Sequence, residues 1–325
     1  MNVAIVGCGL IGLKRAGALG VHKLVATADL NLRRAQELAA KFPGAIAVPS
    51  VEAALGLKEV DLVIVATTHD QLAPITLAAL QAGKHVLVEK PGARSADEFA
   101  PVVELSRRLG LVVKVGFNHR FHPALQRARQ YVDDGAVGPL MFIRGRYGHG
   151  GRVGYDKEWR ANPQLSGGGE LIDQGIHLID LSRWFLGEFT SVEGFAHTYF
   201  WDMPVDDNAF MTLRTHAGHT AFLQVSCSEW KNLFSLEIYG RTGKLQIDGL
   251  GGSYGVERLS YYKMSPAMGP PETTIHEYPM GDKSWQLEIE DLADAIAVGR
   301  APSGSAEDCL AALRVVEKIY QRKSA

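Results

Sequence analysis

The sequence predicts an α/β chain in which a doubly wound parallel sheet is followed by an α+β domain on a largely antiparallel open sheet. Three observations predict it. Short runs of Val, Ile and Leu alternate with amphipathic stretches up to Asn118. A glycine fingerprint, Gly7-Cys8-Gly9-Leu10-Ile11-Gly12, falls between the first apolar run and the first helical pattern. Beyond Asn118 the rhythm changes to alternating runs joined by tight turns.

In chain order, residues 3–6, 24–29, 62–66, 85–88 and 111–115 read as strands, with helical stretches between them forming repeated βαβ units. Those strands are nearly continuous in branched aliphatic residues, as parallel strands covered by helices on both faces must be. Residues 123–133 predict a helix, and 145–155 reads as a glycine-rich loop that could act as a lid. Runs 209–215 and 220–226 form one expected hairpin, and 234–239 with 244–247 a second, turning at 240–243. Helices over 284–298 and 307–321 close the chain, separated by the turn residues of 299–304. The expected domains are 1–118, for a dinucleotide, and 119–325, for substrate and oligomerisation, with the last helices able to pack back on the first domain.

Composition narrows the function. With 325 residues, 46% hydrophobic and 22% charged, the chain can bury large cores and is not disordered. Lys and Arg total 34 against 36 Asp and Glu, so a net charge of −2 provides no basic field for nucleic acid or acidic membrane. Cys8, Cys227 and Cys309 are too few and too scattered for a disulfide framework or metal knuckle, and each reads as a small buried hydrophobe. No basic leader and no membrane-length apolar run is recognised, so the expected compartment is the cytoplasm and the expected partner a small molecule.

The glycine fingerprint follows a strand and opens a helix, which is the context a Rossmann dinucleotide site requires. Gly7 permits the turn, Gly9 lets the backbone approach a pyrophosphate, and Gly12 allows close helix packing, with Leu10 and Ile11 carrying the first helical N–H groups. Asp29 ends the second strand, where a carboxylate bonds the ribose hydroxyls and repels a 2′-phosphate, favouring NAD over NADP. Arg33-Arg34 competes with that reading because it could reach such a phosphate, and Arg33 is also a candidate neighbour of the adenine.

At Glu89-Lys90-Pro91 the chain resembles the glucose-fructose oxidoreductase and inositol dehydrogenase family, Gfo/Idh/MocA. Also in register are Ala66-Thr67-Thr68-His69, Gly116-Phe117-Asn118-His119-Arg120-Phe121, and the stretch from Ser166-Gly167-Gly168-Gly169-Glu170 through Asp173, His177 and Asp180. The resemblance implies a nicotinamide-dependent oxidoreductase in which Lys90, Asp173 and His177 serve the reaction. It implies further cofactor contacts from Thr67, Thr68, His69, Glu89, Lys90 and Asn118. Thr68-His69 departs locally from relatives that carry Pro-Asn there.

The residues also carry this chemistry on their own terms. Lys90 ends a parallel strand, where ligands of open α/β sheets bind, and the following proline restricts its backbone to extended or cis arrangements. Asp173 and His177, four residues apart in an apolar helix, would share one face with Asp180 nearly in line. One His and one carboxylate lack a third metal ligand, so no metal is expected. His177 would act as the base, Asp173 would orient it or hold a second hydroxyl, and Lys90 would favour the developing alkoxide. Asn118, Arg120, His149, Tyr155, Trp159 and Arg160 complete a polar, aromatic pocket for a sugar, sugar acid, nucleotide sugar or polyol, with Arg152 and Arg160 hinting at negative charge on it. An NAD-dependent glycoside hydrolase and a non-catalytic NAD-binding regulator remain as alternatives. Phe210, Thr212, Phe222, Gln224 and Leu236 are expected on one open sheet face, through which a homodimer or homotetramer would form.

Overall fold

The computed structural model describes residues 1–321. The chain forms two compact units, the first from Met1–Phe117, Gln164–Gly167 and Trp285–Leu310, the second from Asn118–Pro163, Gly168–Ser284 and the chain from Ala311.

In the first unit β1 (Asn2–Val6), α1 (Leu10–Gly17), β2 (Lys23–Ala28), α2 (Leu32–Ala39), β3 (Ile46–Ala47), α3 (Val51–Leu55), β4 (Leu62–Val65), α4 (His69–Gln81), β5 (His85–Val88), α5 (Ala96–Leu109) and β6 (Val113–Val115) follow in order. The six strands lie in the order β3-β2-β1-β4-β5-β6 and pair in parallel. That is the doubly wound arrangement, with its switch point between β1 and β4. Val3, Ile5, Leu62, Ile64 and Leu87 are fully buried within one core cluster that also takes Ile289 and Leu292 from the C-terminal part of this unit. Helix ends follow local chemistry: Ser95 accepts the Glu98 N–H at the start of α5, and Gly110, at φ 66°, closes it in a left-handed conformation open to glycine. The two-residue β3 escapes sequence reading because it is too short for a period-two pattern.

The second unit holds α6 (Pro123–Asp133) and β7 (Leu140–Gly148); α7 (Pro163–Ser166) leads toward a π-helical turn, Leu171–Gly175, that runs into α8 (Ile176–Leu186). Strands β8 (Phe189–His197), β9 (Asn208–Thr215), β10 (Thr220–Ser226), β11 (Leu233–Gly240), β12 (Gly243–Asp248), β13 (Glu257–Lys263) and β14 (Glu272–Tyr278) complete an eight-stranded sheet; α9 (Ser284–Val298) then belongs, from Trp285, to the first unit, and α10 (Ala306–Gln321) to the first unit as far as Leu310 and to the second from Ala311. The sheet order is β14-β13-β12-β11-β7-β10-β9-β8. Both expected hairpins pair as read, β9 with β10 and β11 with β12. All pairings are antiparallel except β7 with β10.

Three expectations need correction. The stretch 145–155 is not wholly a loop, because Gly145–Gly148 complete the central strand β7 and Tyr147 is buried there. Its glycines disguise the strand, yet a Cβ on Gly145 would lie 3.0 Å from Leu223 and 3.1 Å from Leu236, so the glycine eases the packing of the neighbouring strands. Leu236 does not share a face with Phe222. It pairs with Gly145 and through it with buried Leu223, whereas the row containing Phe222 runs through Arg144 to Glu237. Finally, the expected helix is not uniform: Asp173 lies in a π turn and His177 in the α-helix after it.

Candidate active site

Because β2, β1, β4 and β5 are adjacent and parallel, the loops that follow them emerge along one edge of the sheet. These loops carry Gly7 to Gly12, Asp29, Thr67 to His69, and Glu89-Lys90. The glycines differ in what they do. Gly7, at φ 94°, could carry no Cβ, which would sit 2.4 Å from the Ala66 carbonyl oxygen, and a Cβ on Gly12 would sit 2.0 Å from the Gly7 oxygen. Gly9 is different, since a Cβ there would meet nothing within 4 Å. The protein itself needs the first and third glycines, whereas the second leaves open space beside the start of α1, where N–H groups of the first turn have no intrahelical acceptor. Leu10 is 71% exposed at that start and Ile11 is partly buried.

Asp29 is fixed against this loop. Its carboxylate accepts the N–H of Cys8 and the N–H of Asn31, each at 2.8 Å. Burial, with the Asp29 charge adding to it, pushes the Cys8 thiol up to about 12, so it stays a neutral packing group. Arg33 lies exposed and pairs with Glu37 one helical turn on. Thr68 precedes α4 and donates its hydroxyl to Asp70 at 2.6 Å; buried His69 holds the Ser166 carbonyl through Nδ1 at 2.8 Å. The residues present therefore fit a dinucleotide: an open approach, free helix N–H groups and a braced carboxylate at the second strand end.

Glu89 is turned into the protein. It accepts from the fully buried Arg15 at 2.6 Å, and Arg15 reaches Glu288 at 2.5 Å while the Trp285 ring lies 4.3 Å from its guanidinium. Burial raises the Glu288 carboxyl despite the opposing charges of Arg15 and Lys114. A Cβ on Gly116 would stand 2.8 Å from Arg15, so the glycine after β6 makes room for this triad. Glu89 thus ties the strand-end loop to α1 and α9, and Lys90, the next residue, joins Pro91 through a cis peptide.

In the second unit a 3₁₀ turn, Asn118–Phe121, carries three of the expected residues or their neighbours. Asn118 donates to Ser284 at 2.8 Å and meets His119 at 3.2 Å. The His119 ring stacks on His177 with centroids 3.8 Å apart, and Tyr147 meets both rings edge-on. Arg120 is bound bidentately by Asp180 at 2.6 and 2.8 Å, both buried, so it braces α8 with its guanidinium. Asp173 accepts from Arg160 at 3.0 Å, and the Arg160 guanidinium lies 4.6 Å from the Trp159 ring. His149 approaches Glu170 at 3.5 Å and meets Tyr155 edge-on.

Burial, reinforced by the Glu170 and Asp173 carboxylates, raises the Tyr155 phenol, and burial with Tyr254 and the same carboxylates raises Tyr147. Both hydroxyls stay protonated and can donate. Arg152 pairs with Glu158 and Arg160 with Asp173, so the cations that suggested an anionic substrate are already compensated by carboxylates.

Sequence reading assigned no role to His119, Tyr147 or Glu170. His119 sits inside the Phe117-Asn118-His119-Arg120-Phe121 motif, so the motif itself was the available signal; Tyr147 was masked by the loop reading and Glu170 by the glycines before it. Among the described residues no group of three or more His, Cys, Asp or Glu could hold a metal ion. No helix among them is long and apolar enough to cross a membrane.

Comparison with known proteins agrees with this geometry. The family model described as the oxidoreductase family with an NAD-binding Rossmann fold matches residues 1–117, and the GFO/IDH/MocA C-terminal domain matches residues 125–246. D-glucoside 3-dehydrogenase of Escherichia coli is 32% identical over 249 residues, covering 70% of this chain and 70% of that protein. Levoglucosan dehydrogenase of Pseudarthrobacter phenanthrenivorans is 29% identical over 233 residues, 67% of this chain but only 59% of the relative's own length. A solved levoglucosan dehydrogenase, in complex with NADH and levoglucosan, superposes with a TM-score of 0.89 at 22% identity, covering 99% of this chain and 96% of that one, which shows the shared fold. The glycine cradle, the parallel sheet, both domain matches and the glucoside dehydrogenase relative lead to one conclusion: the chain belongs to the GFO/IDH/MocA family of oxidoreductases.

Proposed function

We propose that this chain is an NAD-dependent dehydrogenase that oxidises a secondary hydroxyl of a neutral polyhydroxylated substrate, a sugar or its glycoside, and runs the reverse reduction. The observation that carries the reading is the contrast at the glycine loop, where Gly7 and Gly12 are crowded by backbone while Gly9 opens onto empty space beside Asp29. The relatives named above act on glucosides and levoglucosan, and the two alternatives, a hydrolase and a non-catalytic regulator, find no support among them.

NAD, when bound, supplies the acceptor for the hydride leaving carbon. The chain's own residues handle the proton and the charge. His177 accepts the hydroxyl proton at a ring nitrogen, with the stacked His119 and Tyr147 fixing the plane of its imidazole. Lys90 donates a hydrogen bond to the same oxygen and stabilises the negative charge that grows on it. Asp173, held by Arg160, accepts from a second hydroxyl, and Tyr155 and His149 line the same part of the second unit. Asp29 selects NAD by accepting from the ribose hydroxyls and repelling a 2′-phosphate.

A homodimer or homotetramer through the open face of the eight-stranded sheet completes the proposal, with the cytoplasm as its compartment. The test is a carbohydrate panel followed by nicotinamide absorbance. Reduction of NAD by at least one sugar or glycoside supports the reading, and release of an aglycone without net NADH would replace it with the hydrolase.

A further inference from the structure

The second unit displays aromatic rings that the proposed reaction does not use. Trp230 is 76% exposed, Tyr199 62% and Phe200 51%. Trp230 and Phe200 form a continuous chain with residues of the candidate site: His149 meets Tyr155 at 5.5 Å, Tyr155 meets Trp201 at 5.6 Å, Trp201 meets Phe200 at 5.1 Å, and Phe200 meets Trp230 at 4.9 Å; Tyr199 packs instead on His197 at 4.6 Å. The chain runs from the buried Glu170 and Asp173 neighbourhood out to solvent.

The backbone under Tyr199, Phe200 and Trp201 is braced. The Asp207 carboxylate accepts three consecutive backbone N–H groups, of Tyr199, Phe200 and Trp201, at 2.9, 2.7 and 2.9 Å. The Trp201 indole N–H donates to the Cys227 carbonyl at 2.8 Å. Trp230 adopts φ 58°, a left-handed conformation uncommon for a bulky residue. The adjoining loop is built to lie against them. A Cβ on Gly151 would stand 2.4 Å from the Trp201 ring, and one on Gly150 would stand 3.2 Å from the Trp230 backbone. A preorganised display of exposed rings loses little conformational freedom when a ligand binds, and exposed apolar patches on folded chains commonly mark binding sites.

We propose that Trp230 and Phe200 are a stacking platform for a second pyranose ring, so that the substrate is a disaccharide or larger glycoside rather than a free monosaccharide. The C–H groups on one face of a pyranose form a flat, weakly positive surface that complements the negative face of an aromatic ring. No charged ligand is needed, which agrees with Arg152 and Arg160 already being paired. The inference rests on the carbohydrate dehydrogenase reading and names its substrate class.

The test compares Trp230→Asn and Phe200→Ala with the unaltered chain on maltose and cellobiose against glucose and its methyl glucosides. Asparagine tolerates the left-handed backbone, so Trp230→Asn removes the ring without compromising the loop. KM for the disaccharide used should rise about tenfold with kcat within about twofold, while KM for the monosaccharides stays within about twofold. Equal KM changes for both substrate sets, no change at all, or an unaltered chain that oxidises only monosaccharides would overturn the platform. So would a fall in oligomeric mass of Trp230→Asn by light scattering, which would make the patch a contact between copies. If the unaltered chain reduces NAD with no carbohydrate whatever, the underlying dehydrogenase reading fails instead, and the platform falls with it.

Discussion

Gly9 separates structural from ligand-binding glycine at a single residue. Since its Cβ would meet no protein atom, Gly9→Ala should keep the melting behaviour within about 1 kcal/mol of the unaltered chain, the scale of an N-cap change, while weakening NAD by about tenfold or more in a fluorescence titration. Gly12→Ala should instead lose about 1–3 kcal/mol of stability, because its Cβ would collide with the Gly7 backbone. Equal behaviour of the two variants would remove the ground for placing pyrophosphate there. Asp207 offers a test by acid. Burial alone would raise its carboxyl, but the bonds from Asn208 and from the N–H groups of Trp201, Tyr199 and Phe200 prevail and hold it below the ordinary carboxylate range. A depressed native pKa stabilises the fold above the unfolded value, near 4, and that contribution disappears as pH falls through the native value. Asp207→Asn should therefore cost about 1–3 kcal/mol at neutral pH, and its deficit against the unaltered chain should shrink in melts below about pH 4. A deficit that stays constant with pH would contradict the charge-based account.

The elements were legible in proportion to how regular they are. The β1-loop-α1 unit announces itself because the apolar strand, the glycines and the helical pattern occur in sequence, and α6 and α9 match their periodicity from end to end. β7 was hidden: Gly145, Arg146 and Gly148 read as loop chemistry, yet Gly145 packs closely against leucines of the neighbouring strands, a tertiary setting that a local window does not contain. The π turn was hidden for a similar reason, since nothing in Leu171–Gly175 distinguishes five-residue hydrogen bonding from ordinary helix. The Arg15–Glu89–Glu288 triad could not be read at all, because it joins residues 74 and 273 positions apart. It is nonetheless the link between β5, α1 and α9. Arg15→Met would leave two buried carboxylates without their cation and should cost about 3–5 kcal/mol in denaturant unfolding, whereas a loss below about 1 kcal/mol would show the triad to be dispensable.

At the scale of the molecule, family and fold were readable because several short motifs fall in register with the expected strand ends, while the surroundings of Arg152 and Arg160 were not, because their carboxylate partners Glu158 and Asp173 are set by the fold and not by the residue pattern. The open sheet face carries Phe195 at 53% and Phe222 at 54% exposure, so light scattering should report a dimer or tetramer and Phe222→Asp should shift it toward monomer. A monomeric unaltered chain at micromolar concentration would remove that interface. The proposed mechanism gives the proton to His177 and the stabilisation of the growing negative charge to Lys90, with hydride transfer left to NAD. The most direct measurement is steady-state NAD reduction with the best glycoside, alongside NAD binding, for the unaltered chain, Lys90→Met and His177→Ala. Both variants should turn over about 100-fold or more slowly while binding NAD as before. Unchanged turnover in either variant would contradict the role given to that residue, and unchanged turnover in both would end the mechanism.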